Sequence, residues 1–312
     1  ERGRLDMSKV REWLTAYGFI APAMIAILLV SVYPLLFGVS IAFTDMSVFN
    51  YLSQEYKFIG FSNFSNMLHD PEIWILTYRT IIWTVINVFL HVSLGIVFAM
   101  LLSKPWLKLK PIFRLILILP WAIPSFISIQ VWHAMFNEQF GALNQLLQMV
   151  GLNPIPWLSN PTWAFVAVVL TNVWLGVPFM MLIALGGLNS IPEEIQEAAY
   201  VDGASPWQTT RYITLPLLLR TMVPAIVLGI IWTFNKFDVI YLITQGGPQT
   251  VVTLAGQQKV MGATDLLITK IYKTAFQYPN FWGMAAAMGY LVFLVLLLLS
   301  LLNLQIQKLV KE

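Results

Sequence analysis

A polar and aromatic stripe within an apolar stretch is the first feature with recognisable chemistry. Asn172, Leu175, Gly176 and Phe179 recur at i, i+3, i+4 and i+7, so a helix would place them on one face. The amide of Asn172 can donate and accept hydrogen bonds toward hydroxyl groups, and Phe179 offers a flat face to a pyranose ring. Gly176 would leave room beside them. The stripe predicts a sugar contact face, with helix packing and interhelical bonding as the alternative.

A charged pair follows in the segment WTFNKFD, where Lys236 precedes Asp238 by two residues in an apolar run. The lysine could donate to sugar hydroxyls, pair with a ligand carboxylate, or pair with Asp238 or an acid of a partner chain. Residues two apart do not face each other on a helix, so pairing with Asp238 requires an unwound segment. We therefore expect an acid from outside the chain to fit better.

Residues suited to catalysis or metal binding are sparse in the sequence. It contains no GxxxxGK[ST] phosphate loop and no cysteine, and its histidines, His69, His91 and His133, lack neighbouring carboxylates at ligand spacing. Asp238 is the one carboxylate well within an apolar segment, which argues against a pair of intramembrane acids. The sequence predicts neither an enzyme nor a metal or cofactor site in this chain.

The elements that position these residues are apolar segments long enough to cross a membrane. Hydrophobic residues make up 58% of the chain and charged residues 11%, against about 25% charged in soluble domains. A spanning helix needs about 20 mostly apolar residues. Six segments qualify, namely 17–43, 74–102, 111–135, 163–188, 217–243 and 282–304. We expect an all-α protein with a six-helix membrane domain over 17–304, between an N-terminal segment 1–16 and a tail 305–312.

Basic residues predict how the chain is oriented in the membrane. Twelve of the 18 fall on one side of the six segments: Arg2, Arg4, Lys9, Arg11, Lys104, Lys108, Lys110, Arg114, Arg211, Arg220, Lys308 and Lys311. Lysine and arginine concentrate on the cytoplasmic side of membrane proteins. Both termini and the connection 190–216 are therefore expected to be cytoplasmic.

Prolines are expected to interrupt two of the six segments. The third contains Pro120 and Pro124, and the fourth contains Pro178 within the polar stripe, directly before Phe179. Each proline removes one helical hydrogen bond, and the freed carbonyl must face protein or a water-filled cavity. Simple kinking and the lining of a substrate path both fit this pattern.

The connection 190–216 reads as two short helices separated by a glycine turn. Capping boxes begin at Ser190 and at Ser205, and Gly203 between them suits a left-handed C-terminal position. The stretch is also acidic, with Glu193, Glu194, Glu197 and Asp202 and no basic residue before Arg211. Helices that lie on the membrane usually carry basic residues toward anionic lipid, so a basic protein partner fits this stretch better.

This connection resembles the EAA loop of permease subunits in binding-protein-dependent ABC importers. The pattern is Glu-Ala-Ala, three residues, Gly, nine residues, Ile, any residue, Leu-Pro. Its seven fixed positions are filled by Glu197, Ala198, Ala199, Gly203, Ile213, Leu215 and Pro216. The resemblance implies that the first short helix, with Glu193 and Asp202 near its ends, docks into a cleft on an ATPase subunit.

Most of the chain is similar to the maltose/maltodextrin permease family, through segments such as NVWLGVPFMMLIALGGLNSIPEEI and FNKFDVIYLITQGGP. The resemblance implies sugar contacts at eight positions: Asn172, Leu175, Gly176, Phe179, Gly229, Trp232, Thr233 and Lys236. The family carries asparagine where Thr233 and Lys236 stand here. Lysine at such a position makes an acidic, uronate-containing oligosaccharide an alternative to a malto-oligosaccharide-like substrate.

The resemblance implies a type I ABC importer permease in a bacterial cytoplasmic (inner) membrane. This chain would form half of the pathway beside a second homologous permease, with two ATPase subunits that bind ATP and Mg²⁺ and an external solute-binding protein. It would contact oligosaccharide and lipid, but not nucleic acid. A secondary sugar transporter is the alternative from another class. It would need internal repeats and would leave the loop 190–216 without a purpose.

Overall fold

Long apolar runs become long helices because lipid cannot satisfy free backbone groups. The computed structural model describes residues 7–254, 256–277 and 281–311, so Arg2 and Arg4 lie outside the described residues. The helices are α1 (Met7–Ile27), α2 (Tyr33–Ala42), α3 (Val48–Leu52), α4 (Ser62–His69), α5 (Pro71–Ser103), α6 (Lys110–Ala122), α7 (Ser125–Met135), α8 (Ala142–Met149), α9 (Pro161–Asn189), α10 (Glu193–Val201), α11 (Pro206–Thr209), α12 (Leu215–Phe234), α13 (Asp238–Thr244), α14 (Leu267–Phe276) and α15 (Trp282–Lys311). Two π-helical turns, Leu28–Val32 and Thr210–Thr214, join α1 to α2 and α11 to α12.

The described helices match the six predicted spans. Five are long and apolar enough to cross a membrane: Arg11–Ala42, Pro71–Ser103, Pro161–Asn189, Pro206–Thr244 and Trp282–Gln305. The sixth is the pair α6 and α7, which bends by 96° at a short break. The break falls at Ile123 and Pro124, which have extended backbone conformations, so the predicted interruption of this span is confirmed. The interruption expected in the fourth span is wrong, because Pro178 stays inside the continuous helix α9.

The chain divides into two compact units, Glu1–His69 with Ile271–Val292, and Asp70–Lys270 with Phe293–Glu312. In the first unit, the end of α2 is held by the buried side chain of Asn63. Its Nδ2 donates to the carbonyl oxygens of Ala42 (2.9 Å) and Thr44 (2.8 Å). These bonds satisfy carbonyls that a helix end leaves without a partner.

The second unit is organised around the packing of α5 against α9. Small residues let the two backbones approach closely, as is typical of membrane helices. A Cβ atom on Gly95 of α5 would lie 2.7 Å from Cβ of Met180 on α9, well inside van der Waals contact. Met180 itself is buried together with Ala184 and with Met222 of α12. The helices α5, α9 and α12 therefore share one apolar core.

A short hairpin in the second unit was not expected from the sequence. Strand β1 (Gln249–Leu254) pairs antiparallel with β2 (Gln257–Gly262), and Val251 lies opposite Val260. Four consecutive β-branched residues, Thr250 to Thr253, favour an extended strand here. This short signal lies in the connection between two spans, and the longer apolar segments on either side dominated the prediction.

Ion pairs fasten the hairpin and the helix α14 to the start of α5. Lys259 Nζ lies 2.8 Å from Asp70 Oδ1, and Lys270 Nζ lies 2.6 Å from Glu72 Oε1. Burial alone would raise the pKa of Asp70, but hydrogen bonds from Lys259 and from the Glu72 amide lower it below its ordinary value. The same hydrogen bond raises the pKa of Lys259 above its ordinary value. Both partners of the first pair are thus held in their charged forms at neutral pH.

Candidate functional site

A cavity of about 190 Å³ lies between α5, α6, α9 and α12. All eight predicted sugar-contact positions line it: Asn172, Leu175, Gly176, Phe179, Gly229, Trp232, Thr233 and Lys236. Sequence reasoning missed three further lining residues, His91, Trp121 and Met180. A neighbouring hollow of about 530 Å³ at the break between α6 and α7 shares Trp121, Leu175 and Lys236 with it. The broken third span therefore opens directly onto the cavity.

Aromatic rings from three helices meet in this cavity. Trp121 of α6 stacks on Phe179 of α9, with ring centroids 5.9 Å apart and planes inclined by 27°. Phe179 also contacts Trp232 of α12 at 5.4 Å. Trp121 is held by its indole N–H, which donates to the carbonyl oxygen of Leu175 at 3.2 Å. The rings present flat apolar faces beside polar groups, an arrangement suited to a sugar ring.

Gly176 lies against a side chain of a neighbouring helix. The space beside it is filled by the imidazole of His91, and a Cβ atom at this position would overlap that ring. His91 Nε2 donates to the carbonyl oxygen of Asn172 at 3.0 Å, which joins α5 to α9. Gly176 therefore permits the close packing of α5, as the packing alternative predicted, and it also lines the cavity.

Asn172 bonds between helices, as the packing alternative predicted, while also lining the cavity. Its Nδ2 donates to Oδ1 of Asn87 on α5 at 2.8 Å. Asn87 Nδ2 donates in turn to the carbonyl oxygen of Trp83 at 2.8 Å, and Trp83 Nε1 donates to the carbonyl oxygen of Thr233 at 3.0 Å. A line of hydrogen bonds along α5 thus connects the two cavity walls, α9 and α12. Asn87 and His91 are four residues apart on α5, a spacing that could have marked one polar face.

Lys236 pairs with Asp238 of the same chain, so the expectation of an acid from outside the chain is wrong for the described structure. Its Nζ lies 3.1 Å from Oδ2 of Asp238. The geometry is feasible because α12 ends at Phe234 and α13 begins at Asp238, which leaves a short non-helical segment between them. Unwinding was the condition for this pairing, and neither glycine nor proline in WTFNKFD signalled it. The charge of Lys236 is therefore neutralised at the edge of the cavity.

The predicted glycine turn of the loop 190–216 is confirmed. Helix α10 ends at Val201, and Gly203 follows with φ +77°, in the left-handed region. The amide of Ala204 donates to the Ala199 carbonyl at 2.9 Å, and the amide of Gly203 donates to the Tyr200 carbonyl at 3.0 Å. These two bonds form the Schellman motif that closes a helix with glycine. The backbone thus reverses within a few residues.

Of the two predicted capping boxes, the second is confirmed and the first is wrong. Ser205 accepts from the amide of Gln208, whose side chain accepts from the Ser205 amide. Ser190 instead follows α9 in a helical conformation, and its hydroxyl donates back to the Gly187 carbonyl at 2.7 Å. A capping residue needs an extended backbone, and Pro192 occupies that position before α10.

The loop presents most of α10 to solvent. Ala199 is buried, whereas Glu193, Glu197, Ala198 and Asp202 are exposed. Tyr200 and Val201 are more than 80% exposed. The remaining motif positions, Ile213, Leu215 and Pro216, lie where the π-helical turn Thr210–Thr214 passes into α12. The loop is thus continuous with a helix that lines the cavity.

Spanning helices around a cavity, with an exposed helical loop at one end, define a membrane transport subunit. The family model described as "Binding-protein-dependent transport system inner membrane component" matches residues 91–312. The chain belongs to this family.

Two similar proteins carry the names of sugar permeases. The chain is 34% identical over 303 residues to the galactooligosaccharides transport system permease protein GanP of Bacillus subtilis (strain 168), covering 95% of this chain and 71% of that one. It is 39% identical over 254 residues to the maltose/maltodextrin transport system permease protein MalF of Klebsiella aerogenes, covering 79% of this chain and 48% of that one. The chain thus spans about half the length of the MalF protein.

Solved structures share the fold. A chain of a bacterial ABC transporter involved in the import of the acidic polysaccharide alginate superposes with a TM-score of 0.80, covering 99% of this chain and 100% of that one at 22% identity. A second structure, of a bacterial alginate ABC transporter in complex with an alginate pentasaccharide-bound periplasmic protein, gives a TM-score of 0.77. At this identity the likeness concerns the fold alone.

Proposed function

We propose that the chain is the permease subunit of an ATP-driven importer of neutral oligosaccharides. The cavity carries this proposal, because it joins three aromatic faces to polar groups and leaves no free charge among its described lining residues. Sugars offer apolar ring faces and hydroxyl groups, which match aromatic and amide side chains respectively. The names of the relatives, which specify galactooligosaccharides and maltose or maltodextrin, support the same class of substrate.

The ion pair at the cavity edge favours a neutral over an acidic substrate. A lysine available for a ligand carboxylate would need to give up Asp238, its partner at 3.1 Å. The carboxylate left behind would then lose its compensating charge in a half-buried site. A malto-oligosaccharide-like or galacto-oligosaccharide-like sugar avoids this cost. The uronate oligosaccharide remains the second candidate, and the experiment below separates the two.

The partners follow from the loop and from the family. The exposed face of α10 would dock on one of two ATPase subunits, which would bind ATP and Mg²⁺ in place of this chain. A second permease would complete the pathway, and an external solute-binding protein would deliver the sugar. Both termini and the loop 190–216 would lie in the cytoplasm, in keeping with the distribution of basic residues. A secondary transporter would have no use for such an exposed loop.

Transport would be driven through the helix that joins the loop to the cavity. When the ATPase subunits close on ATP, a docked α10 is displaced with them. The turn Thr210–Thr214 passes this displacement to α12, which carries Trp232 and Thr233 on the cavity wall. Because α12 also bonds to α5 through Trp83, both cavity walls would respond together. Binding energy at the ATPase is in this way converted into a change of access to the cavity.

The substrate prediction concerns the ion pair. In proteoliposomes with ATPases, partner permease and binding protein, we expect uptake of a neutral trisaccharide (maltotriose or galactotriose) and little uptake of trigalacturonate. Lys236→Met and Asp238→Asn should each lower neutral uptake about threefold, because each leaves one charge without its partner. The double variant should recover most of that loss. Preferred uptake of trigalacturonate that disappears with Lys236→Met would instead establish an acidic substrate.

The orientation prediction uses two exposed residues, Gln139 and Tyr200, which lie in different connections of the second unit. A cysteine at Gln139, in the connection after α7, should crosslink to the solute-binding protein and not to the ATPase. The matched variant Tyr200→Cys on α10 should crosslink to the ATPase alone, because Tyr200 is 81% exposed beside the Schellman turn. Mass spectrometry of the crosslinked products identifies both partners. The reverse pairing would mean that the proposed topology is inverted.

A further inference from the structure

Two asparagine amides are arranged head to tail behind the cavity wall. Asn87 Nδ2 donates to the Trp83 carbonyl oxygen, and Asn172 Nδ2 donates to Asn87 Oδ1, both at 2.8 Å. Asn87 is fully buried and Asn172 is 3% exposed. Burial makes these bonds consequential, since a polar group buried without a partner costs free energy. Neither amide is free to reverse its direction.

The direction of these two hydrogen bonds is set by the Trp83 carbonyl. A carbonyl oxygen only accepts hydrogen bonds, so the Trp83 carbonyl requires the NH₂ end of Asn87. The oxygen of Asn87 must then face Asn172, which donates to it from its own NH₂ group. The remaining polar atom of Asn172 is Oδ1, and it receives no hydrogen bond from the described part of the chain. Because Asn172 lines the cavity, that oxygen is left to a ligand.

The backbone at the same residue is fixed as well. His91 Nε2 donates to the Asn172 carbonyl oxygen at 3.0 Å, and the ring of His91 is itself buried against Gly176. Asn172 is therefore held from two sides by α5, through its side chain and through its main chain. Only its side-chain oxygen remains available to bond with what enters the cavity.

We propose that Asn87 is a positioning residue that presents Asn172 to the cavity as a hydrogen-bond acceptor. The ligand must then offer a hydroxyl donor at this point. Groups that only accept, such as an ionised carboxylate or an ether oxygen, meet an oxygen and are rejected. This inference rests on the proposed oligosaccharide transport and extends it to the polarity of one subsite. That subsite distinguishes a sugar with a hydroxyl group at this position from one that lacks it.

The experiment compares uptake of the neutral trisaccharide that the complex transports with uptake of its monodeoxy analogues. In the unsubstituted complex, one hydroxyl position should carry a loss of about tenfold when the hydroxyl is removed, because the Asn172 oxygen is then unpaired. Asn87→Leu cannot hold the amide, so this loss should shrink to less than about threefold. Asn87→Asp should keep it, since a carboxyl group still accepts from Asn172 and, when protonated, donates to Trp83.

Thr84→Val is the matched control. Thr84 is buried one turn before Asn87 on α5, and its hydroxyl bonds to the Thr80 carbonyl within the same helix. This variant should change neither uptake nor the monodeoxy loss. Asn172→Leu removes the acceptor directly, so its complex should lose the discrimination at the same hydroxyl position. This second variant keeps the test decisive if Asn87→Leu fails to assemble.

The outcomes separate this inference from the function on which it rests. An unsubstituted complex that imports no neutral trisaccharide would refute the proposed function. Normal import with the monodeoxy loss unchanged in Asn87→Leu, or with different hydroxyl positions affected in the Asn87 and Asn172 variants, would overturn the inference alone. A uniform fall in uptake of all analogues would mean that Asn87 has a purely structural role.

Discussion

Gly176→Ala is expected to reduce transport by at least about tenfold and to destabilise the complex. The added methyl group would overlap the imidazole of His91, which is packed between α5 and α9. Either the bond from His91 to the Asn172 carbonyl breaks or the two helices separate. Overpacking of this kind costs about 1–3 kcal/mol. Thermal unfolding of the purified complex and uptake in proteoliposomes measure the two effects.

The same helix offers a matched control for this prediction. Gly186→Ala also adds a methyl group to α9, but no atom of the described part of the chain lies within 4 Å of it, so stability and uptake should stay near the parent values. The double variant His91→Ala with Gly176→Ala removes the overlap and should recover stability relative to Gly176→Ala alone. Equal behaviour of the Gly176 and Gly186 variants would show that the His91 contact is not limiting.

Gly203→Val is expected to uncouple the permease from its ATPase. Gly203 has φ +77°, a conformation that costs about 1–2 kcal/mol for a residue with a side chain and more for a β-branched one. The turn would open, α10 would leave its docked position, and transport would fall by about tenfold or more. Because the spans are untouched, the chain should insert into the membrane and pair with the second permease normally. ATP hydrolysis stimulated by the binding protein is the measurement.

Asparagine distinguishes backbone strain from a direct contact at this turn. It tolerates the left-handed region better than other residues, so Gly203→Asn should retain most of the stimulated ATP hydrolysis. Within the described residues, no atom lies within 4 Å of a Cβ placed on Gly203, so crowding among them does not contribute. Similar losses in the valine and asparagine variants would point to a partner surface at Gly203 and against a conformational cause.

The spans and the loop could be predicted because their signals are local. An apolar run longer than about 20 residues is typical of a spanning helix, and a glycine between two short helices is typical of a left-handed helix end. The stripe from Asn172 to Phe179 likewise depends only on helical spacing, and all four of its residues line the cavity. Which ligand these side chains contact remains a prediction.

The features that were missed depend on contacts between distant segments. His91 fills the space beside Gly176 from another helix, so no sequence spacing links the two residues. The unwound turn before Asp238 has no glycine or proline, and its ion pair depends on a break that the local sequence does not specify. Pro178 remains in α9 because membrane helices with packed neighbours tolerate proline. Such features follow from tertiary packing rather than from local propensity.

Sugar is expected to pass through the cavity between α5, α6, α9 and α12. Photolabelling with a diazirine derivative of the neutral trisaccharide that the complex imports, followed by peptide mapping, tests this route. We predict that the label falls on the segments carrying Phe179 and Trp232, requires ATP and the binding protein, and is displaced by the parent sugar. Labelling that is confined to the partner permease, or that persists without ATP and binding protein, would show that sugar takes another route.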